Sequence, residues 1–195
     1  MTLTRDDAAL ALREIAAAGT HSRQLLNYTK ASPHLLLWGA LWLAVGVMTE
    51  LTPGNAGWTW LVVDAIGFSA SLYFIVRDAR SAAGSGAASS GAATPAASGL
   101  RYGGLVAVAI GFFVAVSMVF GPTSGAQFMS LAALMVSAVY IGVGLWVGAR
   151  YAILGVVLGV LTLIGFFILP AHAISFISAA GGITLLLGGF WMRSA

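Results

Sequence analysis

The sequence predicts an all-α, polytopic integral membrane protein with six transmembrane helices and an N-terminal amphipathic cytoplasmic helix. Three observations predict it. The 195 residues are 59% hydrophobic and only 8% charged, against about 25% charge in soluble domains. That excludes a water-soluble globule, and it excludes disorder, which needs low hydrophobicity and high charge. Six stretches supply the roughly 20 apolar residues that a helix needs to cross a hydrocarbon layer about 30 Å thick. With six crossings, all nine basic residues fall on one side, the pattern of cytoplasmic loops.

The first element, residues 1–32, reads as a cytoplasmic helical segment. It lacks the apolar core of a cleavable signal peptide and carries Asp6, Asp7 and Glu14. Thr4 is the expected N-cap, with Asp6 and Asp7 in the first turn where the helix dipole favours acids. Ala8, Leu12 and Ile15 recur at helical spacing, Gly19-Thr20 is expected to interrupt the helix, and Leu25, Leu26 and Tyr28 resume the apolar side. The segment is expected to rest on the membrane or on the protein's own face, or to dock a cytosolic or membrane partner through residues 4–30.

Residues 33–77 hold the first two spans, His34 to Leu51 and Trp58 to Val76, with Ser32-Pro33 opening the first. Residues 78–101 read as a flexible cytoplasmic linker, because Ser81 to Gly99 is Ser, Ala, Gly and Thr with one proline. Residues 102–195 hold the other four: Tyr102 to Phe120, Ala126 to Gly148, Tyr151 to Leu169 and Ala173 to Met192. The turns around Pro53, Pro122 and Pro170 are short, so neighbours run antiparallel, and spans three to six are expected to form the core.

Lipid is as apolar as leucine, so spans associate through small residues that allow close approach. Gly103 and Gly111 form such a row in the third span, Gly144 and Gly148 in the fourth, Gly155 and Gly159 in the fifth, and Ser178 with Gly182 in the sixth. One of these rows could instead face a second copy in a homo-oligomer. Trp58 and Trp60 read as an outer aromatic belt and Tyr102, Tyr151 and Trp191 as an inner one. Trp38 and Trp42 share one face of the first span and read as packing anchors.

The polar residues within the spans are few and lie mostly in the outer half. Asp64 stands out. It sits six residues after Trp58, about 9 Å along a helix, and an acid at such depth is a functional candidate by default. Glu50, Gln127, Ser130 and His172 complete an expected outward-facing pocket for a cation, a proton or a small polar ligand. Because the polarity is one-sided, a recess is expected rather than a through-going path.

Several chemistries find no residues to carry them. The chain has no cysteine, hence no thiolate nucleophile and no Cys-ligated metal or iron–sulfur centre. His34 and His172 belong to opposite surfaces, which disfavours a bis-histidine haem. No HExxH, GxSxG or P-loop motif occurs. We therefore expect no catalysis, no cofactor and no metal centre, and we read the +3 formal charge as a cytoplasmic signature rather than as nucleic-acid binding. The chain is expected to be a non-enzymatic accessory or sensing protein of a bacterial inner membrane, multi-pass, with both termini cytoplasmic. A small secondary transporter or channel using Asp64 as carrier, or a structural subunit of a larger membrane complex, are the alternatives.

Overall fold

The structure is a computed structural model describing residues 5–52, 54, 56–84, 95–122 and 124–194. Its described elements are helical, without strands. The helices are α1 (Arg5–Leu51), α2 (Ala56–Gly84), α3 (Pro95–Phe120), α4 (Gly125–Val147), α5 (Ala149–Ile168) and α6 (Ala173–Arg193), with a 3-10 turn, Pro170–His172, before α6. Five segments are long and apolar enough to cross a membrane: Gln24–Leu51, Gly57–Ser81, Gly125–Val147, Ala149–Ile168 and Pro170–Arg193. In α3 the apolar stretch among the described residues is the shorter Ala107–Phe120. The chain is thus a helical protein with the make-up of a multi-pass membrane protein. Thr4 and the surroundings of Tyr102 and Gly103 lie outside the described residues.

The N-terminal segment differs from the sequence reading. Residues 5–51 form one helix of 47 residues, about 70 Å long at 1.5 Å per residue. Neither Gly19-Thr20 nor Ser32-Pro33 breaks it. A helix-interior glycine costs only about 1 kcal/mol, too little to stop a cooperative helix of this length. Pro33 removes one backbone donor, a loss that spanning helices tolerate when neighbours offer polar groups. The adjoining Ser32 hydroxyl donates to the Gly189 carbonyl of α6 at 2.9 Å, so packing on α6 holds this stretch helical although the carbonyl four residues before Pro33 loses its donor. The helix joins the bundle at Gln24 and Tyr28, about two to three turns earlier than expected. Upstream of that point it projects, with Leu10, Leu12 and Ile15 exposed.

The expected linker shrinks from both sides. Its first residues complete α2, where the Ser81 hydroxyl bonds back to the Arg77 carbonyl at 3.1 Å. Its last residues open α3, with Pro95 as the first helical residue, a position whose missing N–H costs nothing. Residues 85–94 lie outside the described residues.

The packing order also differs. α1 makes its most extensive contact with α6, followed by α4 with α5 and α5 with α6. The core is therefore α1, α4, α5 and α6, while α2 packs chiefly on α1 and α3 chiefly on α4. The reason is a register of small residues. On α1, Ser32, Gly39 and Gly46 recur every seven residues, which returns a helix to nearly the same face. Opposite them on antiparallel α6 stand Gly189, Gly182 and Ser178. An added Cβ at Gly39 would lie 2.8 Å from the Gly182 carbonyl oxygen, and one at Gly182 would lie 2.8 Å from the Gly39 carbonyl oxygen. The two backbones meet directly.

The neighbouring glycines of α6, Gly181 and Gly188, point elsewhere: a Cβ there would meet Trp42 and Leu158, or Leu154. Two seven-residue glycine pairs, offset by one residue, thus let α6 sit between α1 and α5. Trp42 and Leu158, both buried, fill the middle of the core. Trp60, expected in the outer belt, packs edge-to-face on Trp42 at 6.1 Å, whereas Trp58 is exposed. Tyr151, expected at the inner belt, is buried between Tyr28 and Tyr140.

The α4–α5 row follows the same logic. An added Cβ at Gly144 would meet the backbone of Ala152, one at Gly155 would lie 2.7 Å from the Ser137 carbonyl oxygen, and one at Gly159 would lie 2.7 Å from the Ser137 hydroxyl. That hydroxyl donates to the Gly155 carbonyl at 2.7 Å. Gly111 departs from the expected packing role. An added Cβ there meets nothing within 4 Å, because the helix that carries it touches little but α4.

Candidate functional site at the distal end

The bundle has two unlike ends. We call basal the end where α1 joins the bundle, α4 turns into α5 and α6 finishes, and distal the end carrying Glu50, Ser124 and His172. At the basal end, Gly148 is the one residue between α4 and α5, with φ +149°. Its N–H donates to the Gly144 carbonyl at 3.2 Å, and its own carbonyl accepts from the Tyr151 N–H at 3.1 Å. Arg150, just after the turn, lies 5.0 Å from the centroids of both Tyr28 and Trp191 and donates to the Trp191 carbonyl at 2.7 Å. Gln24 donates to the Tyr28 hydroxyl at 2.8 Å. This knot fastens α1 and α6 to the α4–α5 corner, and a polar recess of about 410 Å³ lies beside it, edged by Gln24 and Asn27.

The distal half is less well satisfied. Among the described residues, four buried hydroxyls lack a hydrogen-bond partner, those of Thr49, Ser117, Ser130 and Ser178, and all four lie in that half. Hydroxyls nearer the basal end are bonded: Ser32 to Gly189, and Thr184 to the Ala180 carbonyl at 2.7 Å. Burying an unpaired hydroxyl costs about 1–3 kcal/mol, so the distal half carries strain that the basal half does not.

The five expected site residues fall into three places. Asp64 lies on α2, one turn after Trp60 and one turn before Phe68, partly buried. It forms no hydrogen bond or ion pair among the described residues. Its neighbours in sequence hold α2 to α1: Gly67 fits under the Trp38 ring, Trp38 stacks edge-on with Phe68 at 5.2 Å, and the Trp38 indole N–H donates to the Ser71 hydroxyl at 3.2 Å. Glu50, at the end of α1, accepts a hydrogen bond from the Ser175 hydroxyl of α6. His172 is exposed on the 3-10 turn at the same end.

Gln127 and Ser130 stand apart from these. They line a groove of about 240 Å³ between α4 and α5, with Leu131, Leu134, Thr162, Leu163, Phe166 and Phe167. Since α2 packs on α1 and the groove belongs to the opposite pair of core helices, Asp64 and Ser130 do not share one pocket. Sequence reasoning had grouped them by depth, and depth alone gives no azimuth around the bundle.

The pair that sequence reasoning missed is Glu50 with Ser175. Its signal was the heptad of small residues, which brings the end of α1 against the start of α6. Among the described residues no cluster of three or more His, Asp or Glu side chains could hold a metal ion. Comparison of the chain with family models, with curated proteins and with solved structures gives no match.

Proposed function

We propose that the chain is a non-enzymatic accessory or sensing protein crossing a bacterial inner membrane six times, with both termini cytoplasmic and the distal end outward. In this reading Asp64 is the contact for a cation, or for the cationic group of a membrane partner, and the projecting part of α1 is the cytoplasmic docking arm. One observation carries it: an acid within a spanning segment, partly buried, has no partner among the described residues and sits on the least buried of the five candidate spans. A charged acid at such a depth costs about 2.5–3.5 kcal/mol. The chain recovers that cost only through something bound from outside, or by protonation.

Reconstituted full-length protein, titrated with Na+, Ca2+ and methylguanidinium (a stand-in for an arginine side chain), tests this by thermal unfolding. At least one cation should raise the midpoint of the wild type, and Asp64→Asn should fold equally well and lose the response. Equal responses in both proteins, or none in either, would remove the basis for the proposal. Proton flux through proteoliposomes that Asp64→Asn abolishes would replace it with the transporter reading.

A further inference from the structure

We propose that the open shoulder of α2 docks one membrane-spanning helix of another protein, through an arginine that pairs with Asp64. The pairing rests on the reading of Asp64 as a cation contact and names the cation. Within the chain no such partner is at hand. The six apolar stretches of the sequence contain no lysine or arginine, and Asp64 forms no hydrogen bond or ion pair among the described residues. An acid within a membrane ordinarily pairs with another ionisable group or faces water.

The shoulder is laid out as a helix-packing seam. Gly57, Leu61, Asp64, Phe68, Ser71 and Ile75 follow one another at alternating steps of four and three residues. By that spacing two helices pack side by side with a slight left-handed twist. Half or more of Leu61, Phe68 and Ile75 stays exposed, and Gly57 is exposed as well. The buried positions of α2 lie to one side: Val63, and Gly67 seated on Trp38 and Leu41 of α1. α1 thus takes the neighbouring face and leaves the seam open for about five turns.

The surroundings of Asp64 select the cation. A bare metal ion wants several oxygen ligands, about six to eight for calcium. One turn to either side of Asp64 on this face stand Leu61 and Phe68, which offer none. Ser71, the next polar group of the seam, already holds the Trp38 indole. A guanidinium needs only the carboxylate, to which it donates two parallel hydrogen bonds, and the exposed Phe68 ring gives it a face to lie on. Depth then places the arginine in its own helix. Asp64 comes seven residues after Gly57, where the span begins, about 10 Å along the helix. That is about a third of the way through a layer of about 30 Å. A second copy of this chain brings no lysine or arginine to that level.

The chain has no cysteine, so one introduced thiol reports docking by disulfide formation under mild oxidation. Full-length protein with Ala65→Cys, an exposed position beside Asp64, is reconstituted in phosphatidylcholine vesicles with an apolar peptide of about 20 residues. The peptide bears one arginine about a third of the way along and a cysteine one turn from it; a control peptide has leucine in place of the arginine. Cross-linking by the arginine peptide should exceed that by the control about tenfold. Asp64→Asn should erase the difference while leaving the control rate unchanged. Val114→Cys, exposed on α3, should show no preference. Equal cross-linking by both peptides, a preference that survives Asp64→Asn, or the same preference at Val114→Cys would overturn the proposal. So would an Asp64-dependent disulfide between two copies that excludes the peptide. A methylguanidinium response without any peptide preference would overturn the partner helix and spare the Asp64 cation contact, whereas absence of both would overturn both.

Discussion

α6 and α2 are both long and apolar enough to cross a bilayer, yet half of the apolar window of α6 is buried inside the protein against 11% for α2. Hydrophobicity does not separate them; backbone access does. α6 carries Ser178, Gly181, Gly182, Gly188 and Gly189, and each accepts a neighbour from α1 or α5 at close range or would collide with one if enlarged. α2 has one such position, Gly67, seated on the side chains of Trp38 and Leu41. Apolar residues bring a helix into the membrane, and small ones decide whether it is enclosed there. The enclosed helix keeps its polar groups few and mostly bonded, while the peripheral one carries the unpartnered acid. A site open to an outside partner falls naturally on α2.

The sharpest way to break this comparison is to enlarge a glycine in each setting. Gly182→Leu drives a side chain into the α1 backbone and should destabilise the protein by about 3 kcal/mol, the upper part of the overpacking range. Gly111→Leu, on the open side of α3, should stay within about 0.5 kcal/mol of wild type. Unfolding midpoints of both variants in detergent check the pair. Equal losses would mean that α3 is as enclosed as α6.

Gly148→Ala should come next, at about 2 kcal/mol. Its φ of +149° is a backbone state open essentially to glycine alone, and a methyl group would press on the Tyr28 hydroxyl and the Gln24 amide. Loosening this knot should also raise amide exchange at residues 24–28, measured by mass spectrometry. The smallest effect belongs to Ser137→Ala. It removes one 2.7 Å hydrogen bond to the Gly155 carbonyl while leaving room at Gly159, and should cost about 0.6 kcal/mol, the average for such bonds in membranes. A loss above about 2 kcal/mol would show that the hydroxyl sets the α4–α5 spacing by itself.

Much of this architecture is legible in the residues. The ends of α4, α5 and α6 follow from Pro122, Gly148 and Pro170, and the packing glycines of α5 stand out as GxxxG. What escapes is long-range pairing. Nothing in the order of the spans says that α1 closes on α6 rather than leaving spans three to six as the core. The information sits in the seven-residue spacing of Ser32, Gly39 and Gly46, and it becomes readable only beside its counterpart on α6. The continuous α1 escapes for a different reason: Gly19 and Pro33 each weaken a helix locally, and a helix of 47 residues outweighs both. At the candidate site, sequence orders Asp64, Gln127 and Ser130 along their own helices but cannot tell which side of the bundle each one faces. Hence one expected pocket resolves into an acid on α2, a Glu50–Ser175 contact and a separate groove.

The single residue joining α4 to α5 bears on biogenesis. A connection so short leaves no stretch of chain that could wait in water while one helix inserts before the other. So short a turn favours entry of the two as a hairpin, paired along Gly144, Gly155 and Gly159. The remaining helices then have a finished surface to assemble against.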